Sequence, residues 1–202
     1  YTIKNGMRAT PVSNPSTRDK FLAMFGCSFV FGWACNDDET LLARLAEYAP
    51  GHMPYNFGDC GKATQAMYWK LKTGEVRAVI AQSEGIGVYF CPGFHVRRVN
   101  LMMPDSVQWT HTLPEFIAAG DDLLFAGSMG EVHPYRMMLH RLLHKSSTLR
   151  YANFHNPLQV TEAYWDRLLL QIAASEKLFK AQFTNSDFVV VLLGGGRFKD
   201  LS

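Results

Sequence analysis

The sequence predicts an α/β fold, in which a parallel sheet is covered by helices on both faces. Three apolar runs have the length and composition of buried strands, at residues 21–25, 87–91 and 187–193. Stretches with helical spacing of apolar residues separate these runs along the chain. Because strands that alternate with helices are typical of parallel sheets, we expect the three strands to lie side by side in one sheet.

The remaining elements follow from spacing and turn residues. Residues 1–18 are polar and are predicted to be an extended lead-in on the surface, with a turn at Asn5-Gly6. Asp37 to Thr40 has the composition of a helix start, and Pro50-Gly51 ends that helix. A further strand is expected at residues 53–57, and further helices are expected at residues 63–71, 75–82, 134–143 and 161–183. The chain is therefore predicted to form a single α/β domain over residues 1–202.

Residues 99–130 interrupt this alternation, because they contain no convincing helical pattern. Two strands are expected there, at residues 109–114 and 123–126, with a turn at residues 119–122. We interpret the segment as a β-rich insertion after the third core strand. Such insertions commonly lie over a cleft, and we expect this one to act as a lid that is more mobile than the sheet.

Composition limits the class of protein and of partner. The chain has 202 residues, of which 48% are hydrophobic and 19% charged, and its net charge is +2. This is enough chain for one full core, and without a Lys/Arg run nothing favours nucleic acid. No apolar stretch reaches the length of about 20 residues that a membrane span needs. The chain begins at Tyr1, so an upstream signal or membrane anchor is possible and the compartment stays open.

The four cysteines have neither the spacing of a zinc site nor that of a redox pair. We expect small, buried, reduced thiols rather than a disulfide framework. These cysteines are Cys27, Cys35, Cys60 and Cys91.

The strongest candidate for chemistry is Ser28, which follows the first apolar strand directly in Gly26-Cys27-Ser28-Phe29. Side chains at the carboxyl ends of central strands form the sites of many α/β proteins. There a hydroxyl can stand in a cleft among backbone N–H groups, as a nucleophile requires. The structural alternative is that Ser28 only turns the chain between a strand and a helix.

These residues resemble block I of the SGNH (GDSL-type) hydrolases, which usually reads Gly-Asp-Ser-Leu, and the similarity extends from Gly26 to Thr40. The resemblance implies a flavodoxin-like, three-layer, doubly wound parallel sheet. It also implies a serine esterase, lipase or acetylesterase in which Ser28 attacks an ester carbonyl, with no cofactor and no metal.

Residues 55–61 resemble block II of the same family, where a strand ends in Asn and a later Gly donates its N–H to the oxyanion. The resemblance assigns these roles to Asn56, a candidate substrate-binding residue, and to Gly61. A glycine amide can approach developing negative charge closely, which suits an oxyanion hole. The alternative is that Gly58 and Gly61 only turn the chain.

Block III of the family reads Gly-x-Asn-Asp, whereas this chain has Gly93-Phe94-His95-Val96. His95 therefore stands where the family has its third oxyanion donor, and a neutral imidazole can still donate one N–H. The alternative is a partly exposed loop histidine. Arg97 could bind an anionic group of the substrate. The alternative for both Arg97 and Arg98 is a salt bridge, either at the surface or with carboxylates of the predicted lid.

Block V of the family, Asp-x-x-His, is absent, since none of the seven histidines has Asp three residues before it. We expect this segment to follow Ser202 in a longer protein, and the 202-residue chain alone to show negligible esterase activity. Otherwise His95, His133 or His155 would have to supply the general base. His140 and His144 lie one helical turn apart, and we expect them on a solvated helix face rather than at a metal.

The expected substrate is a small-molecule or carbohydrate ester. Transfer of an acyl group onto a polysaccharide is the alternative within the same chemistry. A non-catalytic carbohydrate-binding or interaction domain is the alternative from another class. The acyl group, the alcohol and the oligomeric state stay open.

Overall fold

A computed structural model describes residues 1–120, 122–154 and 159–194. Contacts between Cα atoms divide the described residues into two compact units. The first unit comprises Tyr1–Cys60, Met67–Gly93 and the described residues from Ser175 onward. The second unit comprises Gly61–Ala66 and Phe94–Ala174.

The first unit contains a six-stranded, mostly parallel sheet, which confirms the α/β class. Its strands are β1 (Ile3–Lys4), β2 (Met7–Arg8), β3 (Lys20–Gly26), β4 (His52–Gly58), β5 (Glu84–Pro92) and β8 (Asn185–Leu193). The second unit contains a two-stranded antiparallel hairpin of β6 (Pro114–Ala119) and β7 (Asp122–Ser128).

The order of strands in the sheet is β1-β2-β4-β3-β5-β8. The central strand β3 pairs in parallel with β4 on one side and β5 on the other, and β5 pairs in parallel with β8. The prediction that the three apolar runs form adjacent parallel strands is therefore confirmed. Numbered by their order in the chain, the four parallel strands lie as 2-1-3-4.

The lead-in differs from the prediction, because it extends the sheet. Strands β1 and β2 form a hairpin, and Arg8 of β2 lies opposite Asn56 of β4 in antiparallel register. Asn5 and Gly6 have φ angles of 52° and 74°, which suit the tight turn of a two-residue hairpin. This turn therefore brings residues 1–8 beside the core strands.

Aromatic rings fill the core of the first unit. Phe21 and Phe25 on β3 have no exposed surface, and Phe21 contacts Phe183 with a distance of 4.8 Å between ring centroids. Phe179 contacts both β3 rings edge to face, at 5.9 and 6.3 Å. The interior apolar run of residues 21–25 thus becomes the buried centre of the sheet.

The fourth parallel strand, β8, differs from the prediction in its burial. Its sequence is the most apolar of the strands, yet its residues are exposed or half-buried, and Leu193 is 52% exposed. The reason is its place in the sheet, since among the described residues β8 has a neighbouring strand on one side only.

In the described part of the chain, the five helices that the sequence predicts are present, together with four short helices that it does not predict. They are α1 (Ser28–Phe31), α2 (Leu41–Tyr48), α3 (Thr64–Lys72), α4 (Glu75–Val79), α5 (His95–Val99), α6 (Met129–Val132), α7 (Pro134–Lys145), α8 (Ser147–Tyr151) and α9 (Glu162–Gln182). Thr40 caps α2, as its Oγ1 accepts a hydrogen bond from the Ala43 N–H at 3.2 Å. A single turn of 3-10 helix at Asp37–Glu39 precedes it, so the expected helix start is confirmed.

The predicted insertion contains more helix than expected. Ser106–Thr110 forms a π-helical turn, and the first hairpin strand is β6 rather than residues 109–114. The turn of the hairpin falls where it was expected, although Asp121 lies outside the described residues. Leu101 and Leu113 are buried in one cluster with Met129 and Met137. Part of the segment thus belongs to the core of the second unit, while the role of a lid stays a prediction.

Candidate active site

Ser28 is the first residue of α1, directly after the central strand β3. It is half-buried, whereas the neighbouring Cys27 has no exposed surface. Of these two residues, only Ser28 has solvent-accessible surface that a substrate could contact. As the first residue of a helix, Ser28 also has an N–H group without an acceptor inside that helix.

Two glycines allow α1 to lie against the ends of the strands. A Cβ on Gly58 would lie 2.3 Å from the Phe31 nitrogen, and a Cβ on Gly26 would lie 2.6 Å from the Val30 side chain. Neither position accepts a larger residue without a shift of the backbone or of Val30. The glycines at the ends of β3 and β4 therefore set how closely the helix that begins at Ser28 approaches the sheet.

Asn56 links α1 to the end of β4 through the two ends of its side-chain amide. Its Nδ2 donates a hydrogen bond to the Val30 carbonyl at 2.9 Å, and its Oδ1 accepts one from the Gly58 N–H at 3.0 Å. The residue is 1% exposed. A side chain so occupied and buried positions the helix that carries Ser28, whereas the direct substrate contact implied by the family resemblance stays a prediction.

Arg8 holds the C-terminal end of the same helix and the turn after it, a role that the sequence analysis did not predict. Its guanidinium donates hydrogen bonds to the carbonyls of Phe31, Gly32 and Cys35, and it pairs with Asp37 at 3.0 Å. Hydrogen bonds from Thr2, and then the Arg8 guanidinium, hold the pKa of Asp37 below its ordinary value. The signal in the sequence was the position of Arg8 two residues after the Asn5-Gly6 turn.

Gly61 lies in the second unit with a φ angle of +76°, a conformation that favours glycine. A Cβ at this position would lie 2.8 Å from the Trp109 ring. Gly61 is therefore required by local backbone and packing whatever its amide binds. Its predicted role as an oxyanion donor stays a prediction.

His95, also in the second unit, begins α5 and has no exposed surface. Burial, together with the nearby Arg98 guanidinium, lowers the pKa of His95 to about 3, so its imidazole is neutral at ordinary pH. The alternative of a partly exposed loop histidine is therefore wrong. A neutral imidazole can still donate one N–H, which is compatible with the predicted oxyanion role, and that role stays a prediction.

Arg97 and Arg98 share one carboxylate of the predicted insertion. The Nε atoms of both arginines lie 3.4 Å from the Asp105 side chain. Arg98 also donates a hydrogen bond to the Lys62 carbonyl at 3.0 Å. Arg97 and Arg98 thus form salt bridges with Asp105, a carboxylate of residues 99–130. The sequence left this pairing open as the alternative to substrate binding by Arg97.

The other candidate histidines have different surroundings. The Nε2 atom of His133 lies 3.1 Å from Glu115, a carboxylate that also pairs with Arg167. His140 is buried with its Nδ1 2.7 Å from the Ser106 hydroxyl, so the expectation of a solvated position is wrong for it. His155 lies outside the described residues.

The cysteines are free thiols, as expected, and burial raises the pKa of Cys91 to about 12. Only Cys27 and Cys91 are buried, whereas Cys35 is exposed and Cys60 half-buried, so the expectation of burial holds for two of the four. No cluster of three or more candidate metal ligands occurs among residues 1–120, 122–154 and 159–194. Within the same ranges, no helix is both long enough and apolar enough to cross a membrane.

Comparison with known proteins found no matching family model, curated protein or solved structure.

Proposed function

We propose that this protein is a serine hydrolase of the SGNH type, which cleaves an ester through attack by the Ser28 hydroxyl. The observation that carries the proposal is the place of Ser28, half-buried at the carboxyl end of the central parallel strand and at the start of a helix. The strand order 2-1-3-4 also supports it, because it is the beginning of the flavodoxin-like order.

The contacts around α1 support the same proposal. A nucleophile must be held in a fixed position, and two buried side chains fix the C-terminal end of the short helix α1 that begins at Ser28, Asn56 at Val30 and Arg8 at Phe31 and Gly32. In the proposed reaction, the Ser28 Oγ forms a bond to the carbonyl carbon while its proton passes to a base. The alcohol then leaves, and water releases the acyl group in a second step.

The oxyanion of this reaction needs donors, and the family resemblance assigns the role to the N–H groups of Ser28 and Gly61 and to His95. Each has a property that suits the role. Ser28 begins a helix, Gly61 has a positive φ angle that favours glycine, and His95 is neutral. Losing one oxyanion donor typically lowers the rate by a factor of about 100 to 1,000.

The test is covalent labelling with a fluorophosphonate probe, together with hydrolysis of p-nitrophenyl acetate. In a form of the protein that gives both signals, we expect Ser28→Ala to lose them with an unchanged circular dichroism spectrum. Ser83→Ala is the matched control, because Ser83 is exposed and precedes β5 at the opposite edge of the sheet. Equal labelling of Ser28→Ala and the parent protein would overturn the proposal, and loss of labelling in Cys27→Ala alone would assign the nucleophile to the thiol.

The source of the general base can be found in the same assay. If the 202-residue chain hydrolyses the ester, His133 is the histidine best suited by its own surroundings, since Glu115 orients its imidazole and its side chain is 32% exposed. His133→Ala should then abolish turnover, whereas His52→Ala should not. If the chain alone is inactive, a longer protein with Asp-x-x-His after Ser202 should be active.

The alternative reaction, acyl transfer, is separated by its products. An added sugar acceptor would divert the acyl group from water, so the ratio of acylated sugar to free acid would rise with acceptor concentration. A non-catalytic binding domain would give neither product and no probe labelling in any form of the protein.

A further inference from the structure

The helix α7 presents an apolar surface to solvent. Its exposed apolar residues are spaced i, i+3, i+4 and i+7, so they form one continuous stripe along the helix. These residues, here named the α7 stripe, are Tyr135, Met138, Leu139 and Leu142, with exposed fractions of 83, 58, 46 and 58%. A different face of α7 is buried in the second unit, through Met137 and His140. The core of that unit therefore does not explain why the stripe is apolar.

The stretch of sequence that contains the α7 stripe carries charge of one sign. Between Glu131 and Glu162 the sequence contains no acidic residue. The same stretch contains four cations, of which three are exposed and Arg136 is half-buried. They are Arg136, Arg141, Lys145 and Arg150. Arg136, Arg141 and Lys145 lie on α7 itself, so in a chain with a net charge of only +2 the helix that carries the apolar stripe is strongly positive.

We propose that the α7 stripe binds to the surface of an anionic lipid bilayer, with the helix lying in the plane of the interface. An apolar face flanked by Lys and Arg is the composition of helices that bury one face at the boundary between headgroups and acyl chains. Tyr135 at the beginning of the helix has the amphipathic ring that favours this boundary. The proposal does not depend on the proposed esterase activity.

Charge complementarity favours this occupant over a second copy of the chain. A symmetric contact through the stripe would bring the four cations of one copy against those of the other, and like charges at close range are unfavourable. Anionic headgroups neutralise the cations, while the acyl boundary receives the apolar side chains. An anionic bilayer thus accounts for both the apolar stripe and the cations beside it.

The test uses the whole chain and vesicles of two compositions, phosphatidylcholine alone and phosphatidylcholine with phosphatidylglycerol. We expect sedimentation of the protein with the anionic vesicles at low salt, and much weaker binding at high salt. Met138→Gln combined with Leu142→Gln should weaken binding at least about tenfold, because both apolar contacts are lost. Arg141→Gln combined with Lys145→Gln should weaken it about fivefold for each charge removed.

Matched controls remove the same groups elsewhere. Leu41→Gln with Leu45→Gln changes two exposed leucines of α2, and Lys4→Gln with Lys177→Gln removes two exposed cations of other elements. Both controls should bind anionic vesicles within about twofold of the parent chain, since surface changes away from the interface have small effects. Every variant is checked for an unchanged fold by circular dichroism.

Three outcomes would overturn the proposal. The first is absence of binding to anionic vesicles, which would leave the stripe to a protein partner. The second is equal binding to neutral and anionic vesicles, which would remove the role of the cations. The third is self-association of the parent chain that Met138→Gln with Leu142→Gln abolishes, measured by light scattering, since the occupant would then be a second copy.

Discussion

At the scale of single residues, Asn56 makes the contact that ties the candidate nucleophile to the sheet. Its amide satisfies one carbonyl and one N–H in a place from which water is excluded. Asn56→Ala leaves both groups without this partner, and each buried unsatisfied group costs about 1 to 3 kcal/mol. We therefore expect a loss of about 2 to 4 kcal/mol in the free energy of unfolding, measured by urea denaturation.

The control for Asn56 is Asn185→Ala, because Asn185 is exposed at the beginning of β8. Its effect should stay within about 0.5 kcal/mol. If Asn56→Ala were as mild as this control, the Asn56 amide would not be holding α1 in place.

Arg8 offers a second test of the same helix, since its side chain has no exposed surface and holds three carbonyls and a carboxylate. Arg8→Ala removes these bonds and leaves Asp37 without its buried cation. We expect a loss of about 3 kcal/mol in the free energy of unfolding. Arg8→Lys should recover only part of it, because an ammonium group cannot reproduce the planar fork of the guanidinium.

An arginine pair at the surface is the comparison for Arg8. Arg44 and Glu47 lie 2.8 Å apart, but their side chains are 56% and 58% exposed. Arg44→Ala should therefore cost about 1 kcal/mol or less. Losses of equal size in Arg8→Ala and Arg44→Ala would show that Arg8 contributes no more than a solvated ion pair.

At the scale of elements, the edge strand β8 and the central strand β3 should differ in amide hydrogen exchange. Strand β3 has hydrogen-bonded neighbours on both sides, whereas β8 pairs only with β5 among the described residues. We expect slow exchange along β3, and alternating slow and fast exchange along β8, because every second N–H of an edge strand points away from its neighbour. The measurement is residue-resolved exchange by NMR.

Uniformly slow exchange along β8 would contradict this prediction. It would mean that another strand, from a second copy or a longer chain, covers the edge. Val191→Lys distinguishes pairing with a further strand from slow exchange that arises within β8 itself, because a charge on an edge strand disfavours pairing with a further strand. Exchange in β8 should then become alternating, while exchange in β3 stays slow.

Most elements were predictable because their apolar spacing is local information. The strands at residues 21–25 and 87–91 and the helices at 63–71 and 161–183 were found within a few residues of their bounds. The burial of β8 was not predictable, because it depends on which strand lies beside it and not on its own composition. The strand predicted at residues 109–114 was wrong, because the alternation of Thr with larger side chains there resembles the pattern of a strand.

The candidate site was predictable in part for the same reason. Ser28 follows its strand directly, so a short motif was enough to find it. Arg8 and Asn56 reach α1 over 23 and 26 residues of sequence, and the choice of backbone carbonyl as partner is made by the tertiary fold. The burial of His140 likewise depends on Ser106, which lies 34 residues away.

At the scale of the whole molecule, buried histidines should couple stability to pH. His95 and His140 have no exposed surface. Burial, aided by Arg98 at the first and Arg136 at the second, lowers their pKa values to about 3 and about 4. In the unfolded chain both imidazoles should titrate near pH 6.5, the ordinary value for histidine.

The sign of the effect follows from these pKa values. Between about pH 6.5 and the folded pKa values, the unfolded chain binds protons that the folded chain does not, so lowering the pH favours unfolding. The stabilisation by neutral histidines is complete above about pH 6.5 and is lost as the pH falls, by about 1.4 kcal/mol per pH unit for His95. Urea denaturation at about pH 7 and about pH 5 measures this loss, in a range above the ordinary pKa of the carboxyl groups.

His140→Asn separates this effect from other titrations. The Asn amide can replace the imidazole Nδ1 as the partner of the Ser106 hydroxyl, but it cannot take up a proton in this range. The variant should therefore lose less stability than the parent chain between about pH 7 and about pH 5, whatever its stability at pH 7. If the two proteins lost the same free energy of unfolding over this interval, His140 would not be a buried neutral histidine, and its contact with Ser106 would have to be open to solvent.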